Sequence, residues 1–423
     1  MDTRFELVAK ALRGELGDAE LVKFPREGEE KLKRRKEIAY YINYLLPACQ
    51  RFAGYIEKRP PMRDVGGNSL LMQILDDCDW RGNSLSAWMQ SFMIEAKARG
   101  TMLALVDMPS SVPEDKASQI EQRAVPYLVP IRPEAVTEYR TDAWGRFSYI
   151  KWSETVWEGA EQKELTREWT DTGWTVTMGC DVVSQGEHVL GVCPVVAFSE
   201  IGDVPCFGPF GQIATLSVRI LNLFSEADEL IRSQTFGLLT YQIPPEMEGR
   251  INAAQIVEDI GTNNMLVYYG ERPDFVSPNT GSVEAIRASI EQLETKIDAI
   301  AMNVEEPNHQ ESGIALTLRF QALNSALTGF ARRMEDFERR VWDVACRWLR
   351  IENRTVVNWS KDYALADMAK EMAILQHAQA SAMPDGYIRA KMMQIVQLDM
   401  GAMEKADLEA IMAEIDAQEH KGA

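Results

Sequence analysis

The chain has 423 residues, a hydrophobic fraction of 46%, a charged fraction of 26% and a formal net charge of −19. That length exceeds one ordinary core and predicts two to four substructures. The acidic balance excludes a protein that coats nucleic acid through a broad basic face, because such binding rests on Lys and Arg neutralising phosphates; an acidic wall beside DNA suits a conduit better than a clamp.

No segment is apolar and uncharged for long enough to cross a bilayer. The start MDTRFELVAK has no basic stretch followed by an apolar one, so no secretory signal and a cytoplasmic origin are expected. The cysteines Cys49, Cys78, Cys180, Cys193, Cys206 and Cys346 have no CxxC spacing and read as buried free thiols. The histidines, His188, His309, His377 and His420, are too few and scattered to favour a zinc site or a nucleophile relay.

The first predicted element is a charged helix from about Glu29 that turns apolar at Ile38, Ile42, Leu45 and Leu46, kinks at Pro47, runs to Ile56 and ends at Pro60-Pro61. A short helix Leu70–Asp77, capped by Ser69, comes next. Leu85, Trp88, Met89, Phe92, Met93 and Ala96 then recur at helical spacing, with a cap at Asn83 or Ser84 and a stop at Gly100. A strand Met102–Val106 follows. From Tyr127 to Val196, short β runs rich in Trp and Tyr (YLVPI, GRFSYIKW, LTREW, GWTVTM) alternate with turns and predict an antiparallel meander. Its tryptophans are ordinary strand formers before they are sugar platforms.

After the loop Gly202–Gly211, Ile213, Leu216, Ile220, Leu223, Ala227 and Leu230 step by three and four along a helix. A small α/β unit is expected beyond it: strand Leu238–Ile243, the Pro244-Pro245 break, helix Ile251–Ile260 and strand Asn264–Tyr269. The same stepping returns after a cap at Ser282 in Val283, Ile286, Ile290, Leu293, Ile297 and Ile300. It returns once more from Leu316 to Trp348, so that Ile314–Arg350 predicts one helix of roughly 55 Å. A strand-like TVVNW and Met- and Ala-rich helices at Leu365–Ala380, Tyr387–Asp399 and Lys405–Ala417 close the chain, with a turn at Pro384-Asp385-Gly386. The fold class expected is α+β, mainly helical, with one antiparallel β region and one very long helix.

Motifs that carry chemistry are scarce, and no catalytic, cofactor or metal site is expected. The stretch FGPFGQ lacks the Lys and spacing of a phosphate-binding loop and reads as a loop entering a helix. Asp76, Asp77 and Asp79 form an acidic cluster that a helix end and turn explain as well as a cation would. The polar stretch NVEEPNHQESG, 303–313, gathers Glu305, Glu306, His309 and Glu311 between apolar helices. It is first a solvated connection, second a loop projecting at something outside the subunit, and only third a metal or acid–base site.

The order of these parts resembles the portal proteins of tailed double-stranded DNA bacteriophages. The resemblance rests on RFAGYIEKRPP, YLVPIRPEAVTEYR, VCPVVAFSEIG leading to LNLFSEADELIRSQTF, SVEAIRASIEQLETKIDAIAMN, ESGIALTLRFQALNSALTGFARRMEDFERRVW and DYALADMAKEMAILQHAQASAMPDGYI. It implies a wing region at 1–210, a stem helix at 211–237, a clip at 238–281, a second stem helix at 282–301, a tunnel loop at 302–313, a long helix returning to the wing at 314–359, and a helical crown at 360–423. The stem seam would be Val283, Ile286, Ile290, Leu293 and Ile297. Asn303, Glu305, Glu306, Asn308, His309, Gln310 and Glu311 would face DNA in the tunnel loop, and Glu246, Glu248, Arg250, Glu258 and Asp259 would form the clip surface on which a terminase and a head-tail adaptor dock.

The resemblance further implies a homo-oligomeric ring, usually a dodecamer, set in the virion at one capsid vertex, with major capsid and scaffolding proteins as partners and no membrane. Double-stranded DNA would be packaged and ejected through it, driven by the terminase. This loop departs from a phosphate grip in carrying three glutamates and no Lys or Arg. Two rivals remain: another head or tail-joining ring protein that does not conduct DNA, and an acidic carbohydrate-active hydrolase using the Trp-rich β region with Glu154 and Glu158.

Overall fold

The computed structural model describes residues 3–25, 27–109, 111–113, 115–202, 204–235, 239–243, 265–269, 281–303, 313–363, 368–381, 383–399 and 411. Two compact units emerge: residues 1–310 with 325–361, and residues 311–324 with 362–423.

The first unit opens with α1 (Thr3–Arg13), which the sequence reading missed; Phe5, Val8, Ala9 and Ala11 bury its inner face. The single kinked helix expected from Glu29 to Ile56 is two helices, α2 (Glu29–Ile38) and α3 (Leu45–Glu57), divided where Ala39 turns extended. Pro47 therefore lies in the first turn of α3, where its missing amide costs no hydrogen bond. A three-residue strand β1 (Met62–Asp64) leads to α4 (Ser69–Asp76). Its cap is Asn68 rather than Ser69, with the Leu70 amide donating to Asn68 Oδ1 at 3.0 Å. α5 (Leu85–Arg99) is capped by Ser84 and stopped by Gly100 in the left-handed region, as its sequence requires.

The β region divides in a way that periodicity alone did not reveal. β2 (Thr101–Asp107) is the centre of a three-stranded antiparallel sheet, with β3 (Tyr127–Ile131) and β9 (Val195–Ser199) on its two sides. A short helix α6 (Lys116–Glu121) precedes β3. Only β4 (Val136–Thr141), β5 (Phe147–Glu158), β6 (Glu161–Thr170), β7 (Gly173–Met178) and β8 (Asp181–Glu187) form the meander, each strand pairing with the next. The first and last runs of the predicted meander thus belong to a different sheet. A cluster of Leu103, Leu105, Ile131, Ile150, Trp152, Trp169 and Val195 packs the two sheets together. Trp152 and Trp169 are core residues there, which removes them as exposed stacking platforms. Cys180 corrects another expectation: it is exposed, whereas Cys49, Cys78, Cys193 and Cys346 are buried.

α7 (Gly211–Thr235) follows, and α8 (Gly281–Ala301) packs along it. Between them lie β10 (Leu239–Ile243) and β11 (Met265–Tyr269), paired in parallel. Parallel pairing needs a crossover connection; the helix expected at 251–260 lies outside the described residues. Ser282 does not cap α8 from outside but sits in its first turn. α9 (Gly313–Trp348) is 36 residues long, and from residue 325 onward it belongs to the first unit. There Leu323, Leu327, Phe330, Met334, Phe337, Val341 and Val344 are buried, the last six inside that unit. β12 (Val356–Asn358) returns to pair with β1.

The second unit contains residues 313–324 of α9, α10 (Met368–Ala380) and α11 (Asp385–Asp399), with α10 packed on α11. Asn324 organises it, donating from Nδ2 to Asp362 Oδ1 at 3.0 Å and accepting the Tyr363 amide at 2.6 Å. The expected turn at residues 384–386 begins α11 instead, with the Tyr387 amide donating to the Pro384 carbonyl. The helix expected at 405–417 lies outside the described residues, residue 411 excepted.

Candidate functional site

The helix pair α7 and α8 is held differently at its two sides. α7 is apolar enough to bury Ile213, Ala214, Ile220, Leu221, Leu223 and Ala227, yet Ser217, Asn222 and Ser225 are buried among them. Buried polar groups persist only when bonded, and each of these has a partner. Asn222 accepts the Val22 amide at 2.8 Å and donates to the Glu20 and Val218 carbonyls. Ser225 Oγ accepts from Arg35 Nη2 at 3.0 Å, and Arg35, itself buried, makes a two-point pair with Glu27 at 2.7 and 2.9 Å. Burial pushes the Glu27 carboxyl up, but the Arg35 hydrogen bond and charge and the Phe24 amide outweigh it and hold it below the usual range. The Arg35 guanidinium also lies 4.5 Å over the Phe24 ring. A polar ladder thus fixes the N-terminal segment and α2 onto α7. Its signal in the sequence is three small polar residues, Ser217, Asn222 and Ser225, on an otherwise apolar helix.

α8 buries less. Of the seam predicted for it, Ile290 and Ile297 are buried, while Val283, Ile286 and Leu293 are half-buried. The helix is tied to α3 by polar contacts: Tyr44 Oη donates to Glu294 Oε1 at 2.7 Å, and burial together with that carboxylate pushes the Tyr44 phenol far up. The C-terminal end closes with Met302 in the left-handed region at φ 53°. The Asn303 amide donates to the Asp298 carbonyl at 3.0 Å, Asn303 Nδ2 to Asp298 Oδ1 at 3.3 Å, and Asn303 Oδ1 accepts from Arg51 Nη1 at 2.7 Å. Asn303, expected to face DNA, is therefore half-buried and bound to α3, where it anchors the start of the segment that follows. Glu305, Glu306, Asn308, His309, Gln310 and Glu311 lie outside the described residues, as do Glu246, Glu248, Arg250, Glu258 and Asp259.

No family model matches the chain, and no curated protein matches it. Solved structures do. The chain is similar to one in the virion of a native gene transfer agent particle, with 11% identity, 90% of each chain covered and a TM-score of 0.42. It is similar to one in the neck of the native gene transfer agent particle computed with C12 symmetry, with 11% identity over 81% of this chain and 88% of that one, at a TM-score of 0.42. An HK97-family phage portal protein from Corynebacterium diphtheriae has 9% identity over 75% of this chain and 94% of its own, at 0.36.

Among the described residues, no group of three or more His, Cys, Asp or Glu side chains is placed to hold a metal ion, and no helix is long and apolar enough to cross a membrane. The acidic cluster before α5 works as a turn. Asp79 accepts the Arg81 amide at 3.0 Å and Asn83 Nδ2 at 2.8 Å, and Asp77 accepts the Gly82 amide at 3.0 Å. Of the carboxylates offered for a hydrolase, Glu154 is paired with Arg167, and the Glu158 side chain lies outside the described residues.

Proposed function

We propose that this chain is the subunit of a portal: a ring at one capsid vertex through which double-stranded DNA is packaged and later ejected. The observation that carries the reading is the order α7, parallel strand pair, α8, short polar segment, α9. Two helices of 25 and 21 residues flank a parallel strand pair, and a 36-residue helix follows them. In this reading α7 and α8 are the stem, the unit between them is the clip on which a terminase and then a head-tail adaptor dock, and residues 302–313 are the tunnel loop. Residues 1–210 form the wing and residues 360–423 the crown.

The physical case follows from charge and geometry. A subunit with net charge −19 lines a passage that repels phosphate, and the repulsion reaches only about 8 Å at physiological salt, so DNA slides without adhering if the fit is close. Binding Asn303 to α3 gives the three glutamates beyond it a fixed origin from which to meet the duplex. A closed ring also requires each copy to present two different, complementary surfaces. Negative-stain imaging of the purified protein tests the reading: rings with a central hole are expected. Compact particles without a hole would return the argument to a monomeric hydrolase, and solid rings to a joining component that conducts nothing.

A further inference from the structure

A groove of about 560 Å3 opens in the first unit between the β4–β5 turn, β9 and the last turns of α9. Phe147, Val195 and Val344 are among its apolar lining residues, and Arg146, Arg340 and Arg347 bring three guanidinium groups to it. Among the described residues none of the three is in an ion pair, although the chain has 64 acidic residues against 45 basic ones. Arg340 donates to the Asp336 and Ala197 carbonyls and Arg347 weakly to the Leu190 carbonyl. Three carboxylates share the lining, Asp142, Asp171 and Asp343; Asp142 accepts the Trp144 and Arg146 amides, and Asp343 accepts from Asn353. On the rim, Trp144 is 82% exposed. The groove thus offers apolar surface beside three guanidinium groups that are in no ion pair among the described residues and, where they hydrogen-bond, do so to backbone carbonyls.

The β5–β6 hairpin has the complementary chemistry. Trp157 is 67% exposed near its tip. Trp157 pairs with Gln162 and Thr155 with Glu164, so the indole and the Glu164 carboxylate stand on one face, while Glu161, paired with Glu158, belongs to the other. Lower on the hairpin the charges are matched, Glu154 with Arg167 and Lys151 with Glu168, whereas Glu161 and Glu164 are exposed and in no ion pair among the described residues. The meander puts this tip at the opposite end of β5 from the groove. Twelve residues of strand separate them by roughly 40 Å, so the tip cannot enter the groove of its own chain.

We infer that the β5–β6 tip of one copy docks in the groove of the next, seating Trp157 against Phe147, Val195 and Val344 and Glu164 against Arg146, Arg340 and Arg347. The contact is head-to-tail, because tip and groove are different surfaces of one chain. It rests on the ring reading and names a surface by which neighbouring subunits recognise one another.

The test is a charge swap read by sedimentation velocity, with a tip variant (Glu164→Lys) and a groove variant (Arg146→Glu with Arg347→Glu). Arg340 is left intact because it donates to the Ala197 carbonyl. Each variant alone is expected to raise the concentration for half-assembly about tenfold or more, and an equal mixture of the two to restore it, since each then meets its complement. Trp157→Ala should weaken assembly without rescue by either partner. Wild-type rings in negative stain that neither variant disturbs would overturn the contact and leave the portal reading standing. Assembly that obeys the swap but yields open chains without a hole would uphold the contact and remove the portal reading. No assembly of the wild type at any concentration would overturn the contact.

Discussion

Glu338 is fully buried in α9, and three side chains converge on it. Arg63 from β1 donates at 2.5 and 3.1 Å, Trp342 Nε1 at 3.3 Å, and Trp359 Nε1, just beyond β12, at 3.0 Å. A carboxylate taken from water is tolerated when its acceptor sites are filled, and removing it leaves the partner charge uncompensated. Glu338→Ala should therefore cost about 3–5 kcal/mol in urea-unfolding experiments, and Glu338→Gln less, because the amide oxygen still accepts. His188 makes a different prediction. Its ring lies between Trp169 and Trp348, at centroid distances of 5.8 and 5.7 Å. Burial holds its pKa below the ordinary 6.5, outweighing the Thr170 backbone and the Asp171 and Asp107 charges. A depressed histidine pKa means that the unfolded chain binds the proton more readily, so this stabilising contribution is complete above about pH 6.5 and is lost as pH falls below it. Between pH 7 and roughly pH 5, melting temperature should drop further for the wild type than for His188→Phe, and parallel curves would rule the effect out.

Gly100 ends α5 at φ +84°, and the two strands of backbone that cross there almost touch: a Cβ on Gly100 would lie 2.1 Å from the Gly208 nitrogen. Gly100→Ala carries both the left-handed penalty and a clash with main chain that has nowhere to move, so a loss of at least about 2 kcal/mol is expected from chemical denaturation. The stop at Gly100 was legible in the sequence because a helix end with glycine has a local signature. So were the α7, α8 and α9 faces, where apolar residues repeat over many turns, and the two strands between α7 and α8, though not their parallel pairing. What was not legible depends on partners distant in sequence. YLVPI and VCPVVAF read as parts of the meander because a strand's sequence does not say which sheet it joins, and it is β2, between them in space, that claims both. The break between α2 and α3 escaped because Ile38, Ile42 and Leu45 keep helical spacing across residues that do not form a helix. For the candidate site, Asn303 was picked out by its polar neighbourhood, yet its anchoring to Arg51 spans 252 residues, beyond any local pattern.

At the scale of the assembled particle, the acidic segment after Asn303 is where the portal reading is most exposed to test. Glu305→Lys, Glu306→Lys and Glu311→Lys together would replace repulsion of phosphate by attraction within a Debye length. Packaging should slow and DNA should be retained after it would normally be ejected, measured as packaged genome length and as release on triggering. Unchanged DNA handling would take that segment out of the mechanism.

The pairing of β1 with β12, fastened by Arg63 and Glu338 across 275 residues, also has a bearing on how the chain comes into being. At ribosomal rates of about 5–20 residues per second, the partner of Arg63 is made roughly 15–55 seconds after Arg63 itself. Throughout that interval β1 has an open edge and α5 lacks the aromatic face of α9 that packs Phe337 on Phe92 at 4.6 Å. The nascent N-terminal half therefore waits with apolar surface uncovered, and this part of the fold closes only after α9 and β12 have been synthesised.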